Sequence, residues 1–343
     1  MANGPLASRL VGKVIDKWLV LAKRDKNEED NSGFFSTCYT VEDKDGNKAF
    51  LKAYNYTYAF GQQGSSADVL RFMTENFTYE RDLLEFCNEH RMKRVVTAIA
   101  GGEYTESGEP IPVPYLVFEI AQGNLKTQRI VENPSLAGKL TAFHGALVGL
   151  SQLHKAKIVH QDIKPSNILI FGNNYSKISD LGSATRFDNP SKNWNKDKHV
   201  GDVRYAPIEL LYNYISPDWD TRRFGADLFM MGGILAFMLS GSNFLGLMIS
   251  KLPQNKHFLH FGGSFEDVKP FLLDAYWDSL DEIEKLIPSL IRTDLISVLG
   301  ELSYPIPEER GNPMIFPGVQ KYSLQRYVSI IDRLAKTALY TKL

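Results

Sequence analysis

The sequence predicts an α+β fold of two unequal parts: a small antiparallel β-rich amino-terminal part with one main helix, and a large, mostly helical carboxyl-terminal part. Three observations carry that prediction. The first third alternates β-prone runs with turn signals around a single helical stretch, without the β-α-β alternation of a doubly wound sheet. After Gly123 the apolar residues fall at helical spacing, and beyond residue 220 that pattern fills most of the chain.

Taken in order, Trp18-Leu19-Val20-Leu21 is a short apolar run suited to a strand. Phe35 to Val41 and Lys48 to Tyr54 flank Glu42-Asp43-Lys44-Asp45-Gly46-Asn47, and Asp-Gly between β-prone runs signals a hairpin. Gly61 to Ser66 reads as a loop, and residues 66–92 as a helix carrying Val69, Leu70, Met73, Phe77, Leu83, Leu84 and Phe86 at near-helical intervals. Val95 to Tyr104 and Tyr115 to Ile120 return to strand composition, parted by a loop with Gly108, Pro110, Pro112 and Pro114. Leu136, Leu140, Phe143, Leu147, Leu150 and Leu153 form one face of a long helix, which assigns them to the core. The apolar run Leu228 to Leu239 is too short to span a bilayer and is expected to be a buried helix; Tyr322 to Leu339 closes the chain as another helix.

The chain has 343 residues, 43% hydrophobic and 23% charged, with a formal net charge of -1. Such a charge balance offers no global field for nucleic acid or an anionic membrane. Cys38 and Cys87 are far apart in the sequence and lack metal-ligand spacing, so a disulfide framework is not expected. Met1 to Leu10 lacks the apolar run of a secretory signal. A soluble protein of the cytoplasm or another intracellular compartment, without membrane insertion, is the expectation.

The densest chemistry lies in Val159-His160-Gln161-Asp162-Ile163-Lys164-Pro165-Ser166-Asn167-Ile168-Leu169. Asp162 is suited to orient a hydroxyl and take its proton, Lys164 to neutralise a migrating phosphoryl group, and Asn167 to offer a carbonyl oxygen to a hard cation. A second carboxylate follows in Ile178-Ser179-Asp180-Leu181-Gly182, beside a glycine that lets the backbone turn. A loose, charge-rich phosphoryl transition state calls for this set of a positioned nucleophile, fixed cations and metal ligands.

Together the two motifs, H-Q-D-I-K-P-S-N and D-L-G, resemble the catalytic loop and metal motif of the eukaryotic-type protein kinase family, usually H-R-D-L-K-P-x-N and D-F-G. The resemblance implies one bilobal protein-kinase-like domain over residues 1–343, with an amino-terminal lobe at about 14–120, a hinge at about 119–124 and a carboxyl-terminal lobe at about 124–343. It makes Asp162 and Lys164 the catalytic pair and Asn167 and Asp180 the magnesium ligands. Lys52, in Phe50-Leu51-Lys52-Ala53-Tyr54, becomes the strand lysine that pairs the ATP phosphates, and Glu80 its helical partner, with Glu75 and Glu85 as competitors. Gly33, Ser36 and Cys38 fall in the phosphate-covering loop and its following strand, where only Gly33 keeps a family glycine. Phe118 becomes the bulky residue at the back of the nucleotide pocket, Glu119 and Ala121 its backbone contacts, and Leu169 a further cofactor-binding residue. Phe50 stands where the family usually has a small alanine above the adenine.

Gly201 to Glu209 resembles the end of the kinase activation segment. There Asp202 replaces a threonine; its carboxylate offers Lys164 an alternative partner, and two carboxylates near one another raise a pKa. Glu209 with Arg310, and Asp227 with the catalytic-loop backbone, are assigned to the fold. Gln161 replaces the arginine that binds a phosphate on the segment, so activity without phosphorylation there is expected; Ser183, Thr185 and Ser191 remain candidate modification sites. The implied reaction is transfer of the γ-phosphoryl group of Mg-ATP to a protein Ser or Thr hydroxyl, with room for a regulatory partner and no role for nucleic acid. Two alternatives stand beside it: a pseudokinase acting as a nucleotide-binding or scaffolding module, and a kinase of small molecules.

Overall fold

The computed structural model describes residues 4–24, 36–57, 65–127, 134–192, 200–313 and 320–342. They form two compact units, the first of residues 1–91 and 96–120 and the second of residues 92–95 and 121–343.

Strands β1 (Val14–Ile15), β2 (Trp18–Lys23), β3 (Ser36–Glu42), β4 (Lys48–Tyr54), β5 (Ala98–Tyr104) and β6 (Val113–Glu119) build the sheet of the first unit, in the order β1-β2-β3-β4-β6-β5. Every pairing is antiparallel. The β3-β4 hairpin turns at Gly46, whose φ of 82° is a left-handed conformation that glycine adopts without steric cost, and Asp43 caps the turn by accepting from the backbone of Asp45 and Asn47 at 2.9 Å. Helix α1 (Ser66–Glu89) starts at Ser65, whose hydroxyl accepts from the N–H of Asp68. Of the residues that apolar spacing marks, Met73, Phe77, Leu83 and Leu84 are buried while Val69, Leu70 and Phe86 are only half-buried; Cys87 and the charged Glu80 complete the buried face. Pro114, expected in a loop, lies inside β6 opposite Glu103, at a point where pairing with β4 has already ended at Tyr115. A missing N–H is tolerated there.

One face of this sheet carries Tyr39, Val41, Ala49, Leu51, Ala53, Tyr115 and Val117, all buried. What covers them was not foreseen: Leu6, Ala7 and Leu10, from a segment containing the short 3-10 turn Leu6–Ser8, belong to the same core. The Tyr39 hydroxyl donates to the carbonyl of Ala7 at 2.8 Å; Arg9 pairs with Glu109, and Lys13 with Glu106 at 2.6 Å. The compact unit therefore begins upstream of the lobe boundary at about residue 14 that the family resemblance implies.

In the second unit, α2 (Leu136–Lys155) begins at Ser135, whose side chain accepts from Gly138. Leu140, Phe143, Leu147, Leu150 and Leu153 of the expected face are buried, and Leu136 at its start is half-buried. Residues 92–95 join this unit: Arg94 accepts the N–H of Ile178, its guanidinium lies 3.7 Å from the centroid of the Tyr175 ring, and a side chain on Gly149 would collide with the Arg94 carbonyl at 2.5 Å. Short strands β7 (Gly123–Asn124), β8 (Ile158–Val159), β9 (Ile168–Phe171), β10 (Tyr175–Ile178) and β11 (Thr185–Arg186) follow, with β10-β9-β7 forming one small sheet and β11-β8 another. The helices α3 (Ile208–Leu211), α4 (Trp219–Ser240), α5 (Phe244–Lys251), α6 (Phe265–Glu284), α7 (Ser289–Ser303) and α8 (Gln325–Tyr340) complete the unit. Helix α4 is capped by Asp218, whose carboxylate accepts from Thr221 at 2.7 Å, and ends at Gly241 with φ 92°. By length and mean hydropathy (1.3) α4 is the one helix among the described residues apolar enough to cross a membrane, and 83% of its apolar window is buried inside the protein.

Candidate active site

Two clusters of the sequence-predicted residues form, one within each unit. In the first unit, strand register decides the grouping. Cys38 opposes Lys52, Ser36 opposes Tyr54, and Phe50 opposes Phe118. Directly opposed residues share a face, so Ser36, Cys38, Phe50, Lys52, Tyr54 and Phe118 all lie on the face opposite the one covered by Leu6 and Leu10. Lys52 Nζ reaches Glu80 Oε1 at 2.9 Å, and the Tyr54 hydroxyl donates to Glu80 Oε2 at 2.8 Å. Both carboxylate oxygens are thus engaged, and Glu80 is chosen over Glu75 and Glu85 because its helical position faces the sheet. Tyr54 was overlooked, although a residue two beyond Lys52 on a strand must share its face. Phe50 does not turn away: its ring centroid lies 6.3 Å from that of Phe118, and the guanidinium of Arg24 sits 5.6 Å over it. Glu119 ends β6, and Gly33 lies outside the described residues.

In the second unit, Asp227 organises the backbone of the loop that carries Asp162. Its carboxylate, fully buried in α4, accepts from the N–H of His160 at 2.8 Å, the N–H of Gln161 at 2.9 Å and Nε2 of His154 at 2.9 Å. His160 accepts the N–H of Asp162 at Nδ1 and donates from Nε2 to the carbonyl of Ser179, which defines a neutral ring with its proton on Nε2. It is a spacer between the two motifs. The turn Pro165–Asn167 then brings Asn167 back, and its Nδ2 donates to the Asp162 carbonyl at 2.8 Å and to Oδ2 at 3.2 Å. Lys164 Nζ lies 3.0 Å from the same Oδ2. Leu169 is half-buried in β9, on the face opposite Ile168 and Ile170, and Ala121 precedes Gln122, whose N–H donates to the Ile170 carbonyl at 2.9 Å.

The remaining oxygen of Asp162 is held from the far end of the segment, because Asp202 donates its backbone N–H to Oδ1 at 2.8 Å. The Asp202 carboxylate is turned to Arg204, which meets it at 3.0 Å through Nε and 2.6 Å through Nη2. The pairing with Lys164 that the sequence leaves open thus gives way to Arg204. Burial pushes the Asp202 carboxyl up, but hydrogen bonds from Arg204 and the charges of Arg204 and Lys164 outweigh it and hold the group low. The rise falls on Asp162 instead, from burial and the charge of Asp180, against the pull of Lys164 and the Asp202 N–H. Lys164 stays protonated: burial lowers its pKa, and Asp162, Asp180 and Asp202 together raise it further. Asp180 itself sits at a left-handed φ of 64° at the start of the turn Leu181–Ser183.

Among the described residues no group of three or more His, Cys, Asp or Glu side chains could cage a metal alone. The donors present fit magnesium, which binds through one or two carboxylates plus substrate phosphates and keeps several waters. Asp180 supplies a carboxylate, and Asn167, with its Nδ2 committed to Asp162, supplies an amide oxygen.

Glu209 and Arg310 form the buried pair that the motif spacing suggests, bidentate at 2.9 and 2.7 Å, with Arg310 also donating to the carbonyls of Gly225 and Tyr304. Beside Tyr54, two further relations escaped the sequence reading: the Arg204 clamp on Asp202, which an Asp-x-Arg spacing hints at, and the contact of Arg223 with Gln161, which no local pattern announces.

Antiparallel sheet, helical second unit and the cluster around Asp162 together define a class. Residues 32–295 match the protein kinase domain, and the chain belongs to that family. Among curated relatives, it is 40% identical over 96 residues to the striated muscle preferentially expressed protein kinase of Danio rerio, covering 28% of this chain and 3% of that protein. It is 33% identical over 136 residues to the mitogen-activated protein kinase sma-5 of Caenorhabditis elegans, covering 36% of this chain and 25% of that protein. It is 34% identical over 133 residues to the serine/threonine-protein kinase grp of Drosophila melanogaster, covering 38% and 24%. The matched segments therefore span a quarter or less of each of these relatives.

Proposed function

We propose that this chain is an ATP-dependent protein kinase that transfers the γ-phosphoryl group of Mg-ATP to Ser or Thr hydroxyls of proteins. The observation that carries the reading is the state of the Asp162 carboxylate: buried, raised in pKa, and held by Lys164, Asn167 and the Asp202 N–H. A carboxylate fixed in this way orients an incoming hydroxyl and takes its proton at Oδ1 or Oδ2, and a raised pKa brings its basicity closer to what that transfer needs. Lys164, kept protonated by three carboxylates, sets a positive charge where negative charge moves in the transition state. Lys52, oriented by Glu80, binds phosphate oxygens. Asn167 and Asp180 would hold magnesium, which when bound screens the phosphate charges.

Lysine two residues after the catalytic aspartate is the serine/threonine-type pattern, and the names of relatives such as the kinase grp agree with it. The Glu209–Arg310 pair favours a protein over a small-molecule acceptor. A second reading, a nucleotide-binding or scaffolding module without turnover, draws on Phe50, whose ring occupies the face that carries Lys52. Incubation with Mg-ATP, with and without generic protein substrates, followed by mass spectrometry of phosphorylated residues, separates the readings. Transfer to Ser or Thr that disappears in Asp162→Ala supports the proposal. Equal labelling by the variant, or nucleotide binding without any transfer, overturns it.

A further inference from the structure

Gln161 is tethered at three atoms. Its backbone N–H donates to Asp227, its Nε2 donates to the carbonyl of Ser183 at 2.8 Å, and its Oε1 accepts from Nη1 of Arg223. Its φ is 65°, a conformation that persists in a non-glycine residue only where neighbours over-determine it. Both side chains are out of water, Gln161 at 4% exposure and Arg223 at 5%.

The chemistry of these two partners of the Gln161 side chain, Ser183 and Arg223, allows the amide only one orientation. A guanidinium has donors and no acceptor, and a carbonyl accepts and cannot donate. Arg223, in the first turns of α4, therefore decides that the amine end of Gln161 points to Ser183. Ser183 closes the short turn that begins at Asp180, whose own φ of 64° is also left-handed. We infer that Arg223 is a positioning residue: acting through Gln161, it holds the Asp180–Ser183 turn and thereby sets where the Asp180 carboxylate lies. A buried cation on α4 and a neutral loop side chain do this together, with no added charge on the segment that follows. The inference deepens the proposed function and rests on it for its kinetic readout only.

The discriminating variant is Gln161→Glu. It keeps the volume and the contact with Arg223, but presents a second acceptor to the Ser183 carbonyl in place of a donor. In the full chain, with cooperative urea unfolding retained, backbone amides of residues 181–187 are expected to exchange with deuterium at least tenfold faster than in the wild type. The kcat is expected to fall at least tenfold, and the magnesium concentration for half-maximal rate to rise at least threefold. Arg223→Met, which removes the donor and leaves Gln161 in place, should speed exchange at 181–187 at least tenfold, and unchanged exchange there overturns the inference; Arg223→Lys, which keeps one donor, should stay within about threefold of wild type in all three. Gln161→Arg, the form common in the family, should impair rather than improve the protein, because two guanidinium groups would face each other. Unchanged exchange at 181–187 in folded Gln161→Glu overturns the inference. Faster exchange in a chain whose wild type transfers no phosphoryl group leaves Arg223 as a positioning residue and removes the proposed function instead.

Discussion

Asp202 reaches Asp162 through its backbone and not through its charge: the N–H donates to Oδ1 at 2.8 Å while the carboxylate is clamped by Arg204. The approach is so close that the preceding residue has no space for a side chain. A Cβ on Gly201 would lie 2.3 Å from the Gln161 carbonyl and 2.9 Å from Asp162 Oδ1. Because the nearest obstacle is backbone, it cannot rotate aside. Gly201→Ala is expected to destabilise the protein by about 1–3 kcal/mol in urea unfolding and to lower kcat at least tenfold. Wild-type kcat in a folded variant would contradict the role given to this contact.

The raised pKa of Asp162 has consequences of opposite sign for activity and stability. The folded state holds this proton more tightly than the unfolded chain does. The group's contribution to stability is therefore full below the unfolded carboxylate pKa of about 3.9 and is lost as pH rises through the higher folded value. Asp162→Asn removes that loss. It should be more stable than wild type at pH 7.5, by an amount that shrinks as pH falls through the folded pKa, while transferring no phosphoryl group. In the wild type, kcat/KM should fall on the acid side at a pH above the ordinary carboxylate range. Chemical denaturation at several pH values and a pH–rate profile check the two halves.

Glu80 accepts from two donors, Lys52 and Tyr54, so its loss frees both. Glu80→Gln and Lys52→Met should each weaken Mg-ATP binding about tenfold or more by titration calorimetry, an expected loss of about 1.4 kcal/mol or more. Tyr54→Phe, which leaves the ion pair in place, should weaken binding less than either.

Arg310 is among the largest fully buried side chains of the described residues, and its charge is answered by Glu209. Arg310→Met would leave a buried carboxylate alone and should cost about 3–5 kcal/mol in urea unfolding. Adding Glu209→Gln should give back part of that cost, since neighbours in one ion pair are not additive.

Tyr39→Phe leaves the buried Ala7 carbonyl without its 2.8 Å donor. A loss of about 1–3 kcal/mol is expected, together with faster proteolysis within residues 4–12. Unaltered cleavage there would show that the amino-terminal segment is held by its apolar contacts and the Arg9 and Lys13 ion pairs without this hydrogen bond.

The sequence by itself determined the two-part architecture, the strand limits of β4 and the core-facing side of α2, because period-two and helical patterning are local properties of a chain that buries one face. It also determined the order and chemistry of the residues around Asp162, since those lie within a few positions of one another. Three decisions were left to the tertiary structure: that Leu6 and Leu10 close one face of the sheet, that Asp202 turns its charge to Arg204, and that Arg223 meets Gln161. Each depends on which groups burial brings within a hydrogen bond's length across gaps in the chain, or on which of two nearby cations captures a carboxylate. Distances of about 3 Å settle such competitions, and spacing along a sequence does not encode them.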